Sequence, residues 1–102
     1  MPVRVTKRIQ TEYETLLRDV GEDRFYQHVF ENGVSSRKHY DHPEIIMLEQ
    51  SESFFALFRT TGDQNYFTIG KILRRCSHKL YRDGKKKNPE YPVNRKFLDL
   101  VK

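Results

Sequence analysis

The chain has 102 residues, with 19 Lys/Arg against 14 Asp/Glu, a net charge of +5 and one cysteine. A chain of this length makes one domain with a modest core. A lone cysteine excludes an intrachain disulfide framework, and no stretch approaches the ~20 apolar residues of a membrane span.

The charge is unevenly spread. Residues 1–51 carry seven basic and nine acidic side chains, a balance of −2, whereas residues 52–102 carry twelve against five, a balance of +7. A basic half of that kind attracts polyanions or acidic protein surfaces. The opening MPVRVTKR has no apolar run of the sort a secretory signal needs, so a cytoplasmic protein is expected.

Residues 1–5 read as a short extended lead-in. Thr6 is placed to cap a helix running to about Val20, with Ile9, Tyr13, Leu16, Leu17 and Val20 on one face. Gly21 is its expected stop. Asp23 then caps a shorter helix from Arg24 to about Glu31, with Phe25, Tyr26, Val29 and Phe30 as its apolar side, and Asn32-Gly33 ends it. Asn-Gly is also a hairpin turn signal, so a pair of strands across 24–40 is the rival reading there. Residues 34–41 (VSSRKHYD) read as a polar loop. His39 and Asp41 within it and His42 just after it fall close together, but their spacing fits no dedicated metal motif.

The centre of the chain is more informative. Pro43 suits a first helical position, where its missing N–H is no loss, and Glu44 places negative charge at the helix start. At about 100° per residue, Met47, Phe54, Leu57 and Phe58 fall together, flanked by Ile46, Leu48 and Phe55. Glu49, Glu52, Ala56, Arg59 and Thr60 fall opposite. So wide an apolar sector predicts that this helix is the central one. Gly62 stops it and Asp63 caps the next helix.

In that next helix Tyr66, Ile69, Leu73, Cys76 and Leu80 recur at steps of three and four. The other side carries Lys71, Arg74, Arg75, His78, Lys79 and Arg82, with no acidic residue from Gln64 to Arg82. Within that face His78 is expected to add partial charge. Asp83-Gly84 is the expected stop. FFALFRTT and QNYFTIGKI would make strands around a Gly-Asp turn, but the three-four spacing persists to Leu80 and favours helix. Lys85, Lys86 and Lys87 then open an exposed basic linker over 84–92. Asn94 caps a last short helix with Phe97, Leu98 and Val101 on its apolar side.

The fold expected is all-α. It is a single domain, residues 1–102, forming a small bundle of four to five helices built around a long antiparallel helical hairpin of about 43–61 and 64–82. No phosphate-cradling glycine loop, zinc-type cysteine pair or nucleophile elbow is present. Glu49 and Glu52 share a face without an accompanying histidine motif, and Cys76 lies on the apolar stripe as a small hydrophobe. No catalytic residue, cofactor or metal is therefore assigned.

The basic face stands out instead. Lys71, Arg74, Arg75, His78, Lys79, Arg82 and the triplet Lys85, Lys86, Lys87 are the candidate nucleic-acid-binding residues, with Tyr81 and Tyr91 near enough to stack on bases. Two helices of about 18 residues joined so tightly suit a bundle hairpin better than a crossed groove reader. Contact with the backbone of DNA or RNA, with little base readout, is the expectation. The alternative is a protein-interaction module or homodimeric regulatory protein. It would use the apolar face of the 43–61 helix, or an acidic protein partner, and would not bind nucleic acid.

Overall fold

The computed structural model describes residues 5–36 and 42–87. They form three helices and, among the described residues, no strand: α1 (Lys7–Ser36), α2 (Pro43–Thr61) and α3 (Gln64–Lys87). Among the described residues there are three helices, not the four to five expected. The segments expected at 6–20 and 24–31 are two arms of α1. Residues 34–36 and 84–87, expected as loop and linker, are the last turns of α1 and α3. Residues 37–41, 88–92 and the short helix from Asn94 lie outside the described residues. The strand readings at 24–40 and around Gly62 are overturned wherever the chain is described.

Each helix boundary has a local cause. The Thr6 hydroxyl accepts from the Ile9 N–H at 3.2 Å and caps α1. Pro43 occupies the start of α2. Gly62, at φ 75° and ψ 5°, is left-handed and donates its N–H to the Phe58 carbonyl at 2.7 Å. Asp63 then accepts from the Asn65 N–H at 3.0 Å to open α3. The short link of Gly62 and Asp63 reverses the chain. Phe58 and Phe67 pack at 5.1 Å, Arg74 faces Glu52, and the Ser77 hydroxyl donates to the Glu44 carbonyl at 2.6 Å, so α2 and α3 run antiparallel.

Gly21 is not a stop but a bend. Its φ of 82° and ψ of 174° lie in a region that only glycine adopts without strain. In a straight helix, residues twelve apart are separated by about 18 Å. Across this bend the rings of Tyr13 and Phe25 meet edge-on at 5.6 Å, so the two arms fold toward one another.

Two glycines expected to stop helices lie inside them instead. A Cβ on Gly33 would sit 2.6 Å from the Leu80 side chain and 3.1 Å from the Met47 sulfur. The residue is needed where α1 comes against α2 and α3, not for a turn. Gly84 is buried within α3. A glycine inside a helix costs about 1 kcal/mol relative to alanine, an amount that packing at a buried position readily offsets.

The central helix is α3, not α2. It packs extensively on both neighbours, while α1 and α2 touch each other least. Tyr66, Ile69, Ile72, Leu73, Cys76 and Leu80 are all buried, a stripe wide enough to serve two partners. On α2 the buried set is Pro43, Glu44, Met47, Leu48, Ser51 and Phe54, whereas Leu57 and Phe58 are half-buried. The inward face is thus rotated from the wheel position by the inclusion of Glu44 and Ser51. Ser51 satisfies its hydroxyl on the Leu48 carbonyl at 2.7 Å, and the Glu44 carboxylate lies 3.3 Å from the His42 ring.

Two substitutions test these placements. Gly21→Ala should destabilise by about 1–3 kcal/mol, because the bend would hold a Cβ at positive φ. Gly33→Ala should also destabilise despite alanine's higher helix preference, since overpacking of a closed core costs about 1–3 kcal/mol. Urea unfolding midpoints check both, and an unchanged midpoint for Gly33→Ala would show that α1 does not approach Leu80 so closely.

Candidate nucleic-acid interface

With its apolar stripe turned inward, α3 presents its other side to solvent. Lys71, Arg75, Arg82 and Lys86 are exposed and Lys79 is half-buried. They follow one another at steps of four, four, three and four, so they form a line in which a four-residue step advances about 6 Å. Arg74 and His78 stand one position round, toward α2. Lys85 and Lys87 belong to α3, but their side chains fall outside the described set.

The line is less purely basic than the sequence implied. Because α3 runs past Gly84, Asp83 falls on the same helix, four residues beyond Lys79, and its carboxylate lies 3.8 Å from the Lys79 ammonium. Arg74 lies 3.9 Å from Glu52 of α2. Both pairs are about a third or more exposed, so solvent screens them and neither removes its cation from use. Burial, then the charges of Arg74 and Arg82, hold the His78 imidazole below its ordinary pKa. His78 is accordingly neutral at physiological pH and does not add the partial charge expected of it.

Aromatic rings lie along the row. The Lys71 ammonium sits 4.8 Å from the centre of the Phe67 ring. The Arg75 guanidinium lies 4.6 Å from that of Tyr26, and the Lys79 ammonium 5.2 Å from that of Phe30. Tyr26 and Phe30 belong to the second arm of α1, are half-buried, and hold their rings nearly parallel at 3° with centres 6.2 Å apart. That arm runs alongside α3 in the same direction, since Tyr26 meets Arg75 and Phe30 meets Lys79. The Cys76 thiol donates to the Tyr26 carbonyl at 3.6 Å and ties the two helices together.

Sequence reasoning placed Tyr26 and Phe30 on an apolar inner side and looked to Tyr81 and Tyr91 for stacking. Tyr81 is half-buried on α3, and Tyr91 lies outside the described residues. The four-residue spacing of Tyr26 and Phe30, equal to that of Arg75 and Lys79, was the available signal. It carried no weight without knowing which helices are neighbours.

Other parts of the surface have a different character. An open cleft of about 540 Å³ beside the Gly21 bend is lined by Glu14, Arg18, Glu22 and Asp63, among others. Three carboxylates to one guanidinium repel a polyanion there. Tyr66 accepts from the Gln10 amide at 2.7 Å and bonds to Glu14, which with burial raises its pKa. Cys76 is fully buried, and that burial pushes its thiol up to about 12, so it forms no thiolate nucleophile at neutral pH. Among the described residues no group of three His, Cys, Asp or Glu side chains is placed to hold a metal ion. No helix among them is long and apolar enough to cross a membrane.

Compared with protein-family models, with curated proteins and with solved structures, the chain matches none.

The His78 environment has a consequence in acid. A histidine whose folded pKa is depressed lets the unfolded chain bind a proton that the folded one refuses. Its contribution to stability is therefore complete above about pH 6.5 and is lost as pH falls from there toward the folded value. His78→Gln should shrink the loss of stability between about pH 7.5 and 5.5, measured by urea unfolding at each pH. An unaltered slope would assign the acid sensitivity to other groups.

Proposed function

We propose that this protein is a small nucleic-acid-binding module that holds the sugar–phosphate backbone against the exposed face of α3. The observation that carries the reading is the line Lys71, Arg75, Lys79, Arg82 and Lys86 along one helix, on a chain whose carboxyl-terminal half carries a balance of +7. Cations at regular steps neutralise successive phosphates and release the counterions condensed on them. That release supplies most sequence-independent affinity. Arg74 lies beside the line and adds charge from the α2 side, and Lys85 and Lys87 continue the basic run in sequence. His78 borders the line as a neutral neighbour.

A helix lying on a backbone reads little sequence, because phosphate contacts fix position and not base identity. The acidic cleft near Gly21 favours one orientation, with the polyanion kept on the α3 side. The alternative of a homodimer through α2 has less to draw on. Every large apolar side chain of α2 is at least half-buried, and among the described residues the one large hydrophobic left exposed is Val34 of α1.

Arg82→Glu with Lys86→Glu is the informative double variant, since neither side chain lies over a ring and both are exposed. Binding to DNA or RNA probes at roughly 50 mM salt should fall sharply with the unfolding midpoint unchanged. Milder neutralising variants should flatten the log–log salt dependence, by about 0.7–0.9 in slope for every phosphate no longer paired with a cation. If the wild type shifts no DNA or RNA probe, single- or double-stranded, the reading fails and the face is a contact for an acidic protein or plain solvated surface.

A further inference from the structure

We propose that the strand held by this face is single-stranded, with its bases seated on Tyr26 and Phe30 while its phosphates meet Arg75 and Lys79. This rests on the nucleic-acid reading above and specifies its ligand.

The reason lies in the pairing of rings with cations. Arg75 stands over Tyr26 and Lys79 over Phe30, at 4.6 Å and 5.2 Å from the ring centres. Rings and cations each recur after four residues on helices running the same way. The surface therefore carries two like units in succession, each with one ring and one cation, and the ring centres are 6.2 Å apart. A nucleotide of a single strand likewise offers one base and one phosphate. A duplex offers the phosphates alone, because its base faces are stacked on one another. Phosphate-only binding would engage neither ring face, whereas unpaired bases stack on aromatic side chains irrespective of sequence.

The free protein keeps each unit closed by a cation–π contact. Such a contact at an exposed site is weak. A phosphate that draws the cation aside replaces it with a charge-assisted contact and opens the ring face to a base. Arg75 retains a second option, since its planar guanidinium can itself stack on a base. Lys71 over Phe67 repeats the motif on α3 alone, but Phe67 is also packed against Phe55 and Phe58. The two units formed with α1 are therefore the ones assigned.

The test is fluorescence anisotropy at low salt with a labelled oligo-dT, a labelled oligo-rU and a blunt duplex of equal length. The single strands should bind more tightly than the duplex. Tyr26→Leu and Phe30→Leu should each weaken single-strand binding by roughly five-fold or more, with the salt slope and duplex binding unchanged. Tyr26→Trp keeps a ring and should retain affinity. Because the natural chain contains no tryptophan, the indole emission of that variant reports on this position alone, and it should be quenched by the single strands and not by the duplex. That readout holds even where a leucine variant folds poorly. Duplex binding equal to or tighter than single-strand binding overturns the single-strand assignment and leaves the backbone reading standing. So does an indole emission from the Tyr26→Trp variant that is indifferent to oligo-dT and oligo-rU. No binding of any probe overturns both.

Discussion

Tyr13 meets Phe25 edge-on at 5.6 Å and Phe54 face to face at 5.8 Å, and Phe54 in turn meets Tyr66 at 6.1 Å. This chain of rings joins both arms of α1 to α2 and α3 in one buried cluster. Phe25 and Phe54 are fully buried, and removing each side chain from water contributes about 1.5–3 kcal/mol. The ring pairs add about 0.5–1.5 kcal/mol apiece. Through these few side chains all three helices and the bend at Gly21 are held to one another.

The position of the surface row depends on that cluster. With Phe25 held inward, Tyr26, the next residue along the arm, is turned toward the boundary with α3. Phe30, one turn later, follows it. Were the arms of α1 to splay, Tyr26 and Phe30 would lose their places beside Arg75 and Lys79. The basic line would remain, because α3 carries it alone, but the rings would leave it. Core packing therefore sets the composition of the surface row, through the angle between two arms of one helix.

The charges of α3 are held with little energetic consequence for the fold. Lys79 with Asp83 and Arg74 with Glu52 are solvent-screened pairs at 3.8 and 3.9 Å, of a kind that contributes little to stability. The row is not needed to hold the helix in place, since the stripe from Tyr66 to Leu80 does that from the opposite side. Stability and surface charge are thus carried by different faces of the same element. The row is free to vary without unfolding the domain, except where Lys71, Arg75 and Lys79 cover rings.

The sequence by itself determined the hairpin. Pro43, Gly62 and Asp63 act through their own backbone chemistry, within a few residues of themselves, so α2, the turn and most of α3 were legible, as were the buried stripe and the basic line of α3. Tertiary structure decided what local chemistry left ambiguous. Gly33 and Gly84 have the same local chemistry as Gly62, yet they lie inside helices. Gly33 does so because Leu80 and Met47, distant in sequence, come too close to admit a Cβ. Gly21 looked like a stop and is a bend, because Tyr13 and Phe25 find each other across it. Glu44 was legible as a first-turn charge, but its burial was not, because α3 closes over it with Ser77. Tyr26 and Phe30 beside the row belong to α1, and only the packing of that helix along α3 placed them there. Local steric preference acts between chain neighbours and can be read from their identities. Burial and close approach act between segments brought together by the whole core, and they overrule local preference by the few kcal/mol that a glycine or a cap is worth.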